Sequence, residues 1–166
     1  MMAVEIAPWN ASWSGEDRYE VRPCRWAQGR PAIWQPHAPG TGRPQFAAPH
    51  MVRQRRSVSE RRCTVCGEKT APADRWHFDM RTVMSGHLVT TEAPVHRACA
   101  DRAMQLCPVI RSKGLVPTPF PRGWVVLAAM IGGPHVERDF GLRIPEVAPV
   151  VGHLKFAWPM QQRMAR

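Results

Sequence analysis

Residues 63–67 read Cys-Thr-Val-Cys-Gly, and residues 93–108 read Ala-Pro-Val-His-Arg-Ala-Cys-Ala-Asp-Arg-Ala-Met-Gln-Leu-Cys-Pro. Two intervening residues let a tight turn aim the Cys63 and Cys66 thiols at one point, and Gly67 suits the unusual dihedral such a knuckle needs. His96 and Cys99 stand at i and i+3, so on a helix they face the same way. The four form a Cys3His donor set, which is the ligand chemistry of structural zinc, Zn2+. A redox dithiol would normally open a helix, whereas Glu68-Lys-Thr-Ala-Pro follows here. Cys107 lies about 12 Å along a helix from Cys99, too far for both sulfurs to share an ion at bonds of ~2.3 Å. It reads as a small buried apolar residue; if the helix stops early, it replaces His96 as the fourth ligand.

The intervening chain supplies a hairpin. Arg75–Met84 alternates and is rich in aromatic and β-favouring residues, which predicts a strand. Ser85-Gly86 is a turn, and His87–Thr91 is the returning strand. From Pro94 onward the residues favour helix, with Val95, Cys99, Ala103 and Leu106 on one face and Pro108 at or past the end. Knuckle, hairpin and helix in that order predict a treble-clef-like zinc finger within an α+β chain.

Outward from the finger, the texture divides the chain into three segments. Residues 1–50 are rich in proline and tryptophan and hold no leucine; the first leucine of the chain is Leu88. Such a segment lacks the aliphatic bulk for its own core and reads as extended or partly disordered, with Trp26 and Trp34 as anchors on the later residues. Residues 51–112 form the zinc-binding module and begin with the most basic stretch, which carries Arg53, Arg55, Arg56, Arg61 and Arg62 and reads as a short helix. Residues 113–166 read as a β-containing extension. There Trp124–Ile131 and Gly152–Trp158 are strand candidates, and a third is His135–Ile144.

Of the 166 residues, 23 are Lys or Arg and 13 Asp or Glu, a net charge of +10. That balance favours an anionic partner, so Arg53, Arg55, Arg56, Arg61 and Arg62 are expected to contact nucleic-acid phosphates with low sequence specificity. Three thiolates and a neutral imidazole leave a zinc site at net −1, and Arg61, Arg62 and Arg97 would also balance that charge. A protein partner fits the finger equally well. The longest apolar run, Trp124–Ile131, falls far short of the ~18 residues of a membrane span. No secretory signal is visible, and five cysteines do not form a disulfide framework. These features predict a cytoplasmic, reduced protein.

A second reading is a metal-dependent His-Asn-His-like endonuclease, with His77 or His87 in the hairpin activating water. Against it, no asparagine follows Asn10 and the closing helix histidine is absent. There is no catalytic nucleophile beside a base and no phosphate-binding glycine loop: Gly40-Thr-Gly42 lacks the Lys-Ser/Thr that would follow. His37, His135 and His153 read as surface or packing residues.

The stretches "GTGRPQF", "HMVRQRRSV", "RRCTVCG", "PVHRACADRAMQLCPVI" and "GGPHVERDFGLRIP" resemble a family of uncharacterised actinobacterial and actinophage-type proteins over most of residues 30–145. The resemblance implies a bacterial or phage cytoplasm, Cys63, Cys66, His96 and Cys99 as the metal positions, and Cys107 as a further family cysteine. It implies no activity.

Overall fold

The computed structural model describes residues 7–145 and 148–160; residues 1–6 and 161–166, the ends of the first and third predicted segments, lie outside them. In chain order the elements are β1 (Ala11–Trp13), β2 (Glu20–Cys24), β3 (Arg30–Trp34), β4 (Pro44–Pro49), α1 (Met51–Glu60), β5 (Trp76–His77), β6 (Thr82–Met84), β7 (His87–Thr90), α2 (Arg97–Leu106), α3 (Pro108–Ser112), β8 (Thr118–Pro119), β9 (Val125–Ile131), α4 (Gly133–Phe140) and β10 (Val150–Pro159). The fold is mixed α+β. None of the helices among the described residues is long and apolar enough to cross a membrane.

The basic stretch forms α1, as its composition predicts, but its arginines do not all face water. Arg53, Gln54 and Arg55 are buried, as are Met51, Val52 and Val58. This corrects the expectation that Arg53 and Arg55 lie on a phosphate-binding face: both guanidinium groups have internal partners. Arg53 donates two 2.8 Å bonds to the two oxygens of Glu16, and a third of 2.7 Å to the Ala11 carbonyl. Arg55 donates to the carbonyls of Gly152, at 2.8 Å, and Ile33.

The reason lies in the principal sheet, ordered β2-β3-β10-β7-β6 with β9 on the other edge of β10. Strand β10 has two partners on one edge. β3 joins it in parallel at Val151↔Ala32, and β7 joins antiparallel from Phe156↔Thr90 to Pro159↔His87. Neither strand pairs with β10 at residues 152–155. Helix α1 fills the gap: the Gln54 amide donates to the Leu154 carbonyl at 2.8 Å, accepts from the Leu154 N–H at 3.0 Å and reaches the Thr91 carbonyl at 2.9 Å. Buried backbone groups need partners, and here side chains of a helix supply what a strand would.

This arrangement also orders the N-terminal segment. Cys24, Ala27 and Ala32 join one core cluster with Val58, Phe120, Val151, Leu154, Phe156 and Trp158, against which Trp26 and Trp34 pack as expected. Ile33 joins Met51, Val136 and Val150 in another. Strands β3, β7 and β10 come from the three segments read from texture, yet they share one sheet.

Local corrections have local causes. The predicted strand at 75–84 is two strands: β5 pairs with β8 and β6 with β7. His135–Ile144 is not a strand, because Pro134 opens α4 and Gly141, at φ 67°, closes it. Pro94 precedes α2 rather than lying within it, and of the four residues read onto one face Leu106 is 41% exposed. The hairpin turn at Ser85-Gly86, the end of α2 before Pro108, and the strands β9 and β10 follow the sequence reading.

His50 caps α1 with a ring nitrogen. Its Nδ1 accepts from the Arg53 N–H at 3.2 Å and its Nε2 donates to the Pro36 carbonyl at 2.9 Å, which holds the ring neutral. Burial, chiefly, brings its pKa down to about 4. Burial also brings His153 down to about 4. Burial by itself would raise the Glu16 pKa, but Arg53, the Ala38 N–H and His50 more than reverse it, leaving it below the ordinary range.

Arg53→Met leaves Glu16 buried without its counter-ion and is expected to lower stability by about 3–5 kcal/mol, read from urea midpoints. Arg43→Ala, on an exposed side chain, should leave the midpoint unchanged. Rings that are neutral when folded but titrate near 6.5 when unfolded stabilise fully above pH 6.5, and that contribution is lost as pH falls toward 4. We expect roughly 2–3 kcal/mol per ring to disappear over that window. His153→Leu should flatten the slope; an unchanged slope would show that this ring is not the cause.

Candidate metal centre

The knuckle begins where α1 ends. Arg61 takes a left-handed conformation (φ 53°) and the Arg62 N–H returns to the Ser57 carbonyl at 2.9 Å. The chain then folds back through an Arg62–Lys69 bridge, with the Cys63 N–H on the Glu68 carbonyl and the Gly67 N–H on the Cys63 carbonyl, both at 2.8 Å. Gly67 has φ +81°, and a Cβ there would stand 2.7 Å from the Trp9 ring. No other residue meets both conditions without strain. Trp9 lies over the knuckle because the N–H groups of Trp9 and Asn10 bond the Val65 and Thr64 carbonyls, at 2.9 and 3.1 Å.

The second ligand pair sits at the start of α2. Val95 and Trp76 exchange two 2.9 Å backbone bonds that tie the approach to β5. His96 occupies the N-cap position but does not cap; the Asp74 carboxylate accepts from the Arg97 N–H at 2.8 Å in its place. The imidazole is thereby left for other work.

One donor atom from each of Cys63, Cys66, His96 and Cys99 lies within 4.8 Å of all the others. The His96 Nδ1 stands 3.4 Å from the Cys66 sulfur and 3.9 Å from the Cys99 sulfur. Its Nε2 donates to the Lys69 carbonyl at 3.2 Å, so the lone pair is on the nitrogen that faces the sulfurs. A carbonyl on the far ring nitrogen is the usual device for orienting a metal-bound imidazole. Cys63 is fully buried, Cys66 is exposed, and His96 and Cys99 are half-buried. Burial raises the Cys63 thiol. Burial, followed by the neighbouring Cys63 and Cys66 sulfurs, pushes Cys99 up to about 12. A cation placed among the three would displace their protons and hold the thiolates.

Cys107 ends α2 and packs against the cluster of Cys63, Phe78, Val95, Ala100 and Ile110. It is not in the four-residue group. Of the basic stretch, Arg56, Arg61 and Arg62 keep partial exposure. Arg56 pairs with Glu60 at 3.5 Å, and Arg62 pairs with Glu60 and donates to the Gly67 carbonyl at 2.9 Å. His77 is buried edge-on to Phe120 with ring centres 5.3 Å apart, while His87 is exposed beside the Ser85 carbonyl; they stand on strands that do not pair with each other. Trp9, Asp74 and the Lys69 carbonyl carry no local sequence signal for a role at this site. Gly67 and the i,i+3 pair do, because their geometry follows from neighbouring residues. No protein-family model, curated protein or solved structure matches the chain.

Metal analysis of the purified protein should find one ion per chain. Cys63→Ser and His96→Ala are expected to lose it, and Cys107→Ser to keep it. Loss with Cys107→Ser and retention with His96→Ala would overturn the ligand set.

Proposed function

We propose that the Cys3His group is a structural Zn2+ centre in a treble-clef-like finger, and that the protein is a non-enzymatic binding module that contacts nucleic-acid phosphates. Three thiols and one imidazole are zinc donors, and four protein ligands make a closed tetrahedral site with no position for a substrate. Zinc in such a site supplies folding energy of order ten kcal/mol. Here it would hold the knuckle against the start of α2.

The observation that carries the nucleic-acid reading is the set of cations around the finger. Arg62 and Lys69 face each other across the knuckle. Arg75 donates to the Thr70 carbonyl at 3.1 Å, and the Thr70 hydroxyl and N–H both bond the Arg61 carbonyl. Arg61 lies close enough to depress the Arg75 pKa, after burial. Arg56, Arg61, Arg62, Lys69 and Arg75 therefore form the contact surface, in place of the inward Arg53 and Arg55. Base-specific readout has no evident element, so affinity would be governed by phosphate contacts. The cytoplasmic bacterial or phage setting belongs to the same proposal.

Binding to a generic labelled duplex, followed by fluorescence anisotropy, should weaken steeply with salt. The triple variant Arg61→Ala/Lys69→Ala/Arg75→Ala should bind more weakly and reduce the log–log salt slope by about 0.9 for each phosphate that is no longer neutralised. Affinity indifferent to both salt and the substitutions would refute the nucleic-acid reading and leave the finger as a protein-docking module.

A further inference from the structure

We propose that a cavity of about 370 Å3 beside the finger binds a small organic cation, an ammonium or guanidinium on an apolar body, with the Glu92 carboxyl as its counter-ion. The cavity lies between the N-terminal segment, β4, the knuckle, the residues following β7, and helices α2 and α3. Its volume falls in the range of small-molecule sites, and its make-up matches theirs: mostly apolar walls with few polar groups. Phe46, Phe78 and Val95 provide the apolar surface. This inference is independent of which ion the Cys3His group holds.

The charge pattern selects the ligand. The chain is rich in lysine and arginine, yet among the described residues none lines this cavity, and Glu92 is the one carboxylate on its wall. Among the described residues the Glu92 side chain has no hydrogen bond and no ion pair; only its N–H is engaged, donating to the Thr90 hydroxyl at 3.1 Å. Burial alone raises its pKa. An unpaired carboxyl in partly apolar surroundings destabilises the fold that holds it. A cationic ligand would supply the missing partner.

The backbone that carries this carboxyl is held in place. The Thr90 hydroxyl that receives the Glu92 N–H donates in turn to the Met80 carbonyl at 3.0 Å. The next residues, Ala93, Pro94 and Val95, are buried, and Val95 is bridged to Trp76. A ligand would therefore meet a carboxyl carried on a fixed stretch of backbone. Phe46, 62% exposed, stands at the rim. Among the described residues, the remaining titratable groups on the lining are His77 and Cys107.

The test uses the full-length, metal-loaded protein titrated with benzylamine, benzamidine and their neutral analogue benzyl alcohol, followed by amide NMR shifts. At least one of the two cations should bind about tenfold more tightly than the alcohol, roughly 1.4 kcal/mol, with shifts at residues lining the cavity. Glu92→Gln should abolish that preference while keeping the metal and raising the melting temperature, because it removes a half-buried acid that has no partner among the described residues. Phe46→Ala should weaken cation and alcohol alike. Equal binding of cation and alcohol, no binding by either cation, or a preference that survives Glu92→Gln would each overturn the proposal. So would a melting temperature lowered by Glu92→Gln, since the carboxyl would then have an internal partner. Metal content, measured on the same samples, separates these outcomes from any failure of the finger.

Discussion

The structure depends on helix α1 presenting polar side chains to the interior. Arg53 closes on Glu16, whose oxygens also receive the N–H groups of Trp13 and Ala38, at 2.9 and 2.8 Å. Gln54 and Arg55 satisfy the edge of β10 where β3 and β7 fail to meet. Each of these groups would be expensive to bury alone, and each has partners, although the Nε atoms of Arg53 and Arg55 find none among the described residues. The result is a helix that ties β1, β3 and β10 together through hydrogen bonds as much as through apolar contact. In a chain whose first sixty residues contain no leucine, this is how an aliphatic-poor segment acquires a fixed place.

The Cys3His group is attached to that framework at both ends. The knuckle is the direct continuation of α1 through the left-handed Arg61, and Trp9 covers it from the N-terminal side. Its other half follows β7, the strand that pairs with the C-terminal end of β10. A cation bound by Cys63, Cys66, His96 and Cys99 would thus join the segment that leaves α1 to the segment that follows β7. The cavity lined by Glu92 lies against the same elements, its wall including Thr64 and Val65 of the knuckle and Ala103 and Cys107 of α2. The four donor residues and that cavity therefore share the knuckle and α2 as common elements.

Reading from sequence succeeded where the signal was local. The Cys63–Cys66 turn with Gly67, the His96–Cys99 pair, the Ser85-Gly86 turn and the two apolar strands near the C-terminus each follow from spacing or from a residue's own dihedral preference. It failed where the outcome depended on what lay across the chain. Arginines 53 and 55 look like a solvated basic face, because one arginine in sequence resembles another. Their burial depends on Glu16, thirty-seven positions earlier for Arg53, and on the Gly152 carbonyl, ninety-seven positions later for Arg55. Leu106 shares the helical period of Cys99 and Ala103 yet is exposed, since periodicity names a face but not how much of it the neighbours cover.

By itself, then, the sequence determined the donor set, its order and an α+β chain rich in turns, because those properties belong to residues within a few positions of one another. Three things were settled only in three dimensions: the three textural segments share one sheet, the most basic helix turns Arg53 and Arg55 inward, and Glu92 lies on a cavity wall. The reason is physical. Burial and hydrogen-bond satisfaction are properties of a residue's surroundings in space, and here those surroundings are assembled from strands that begin more than a hundred residues apart.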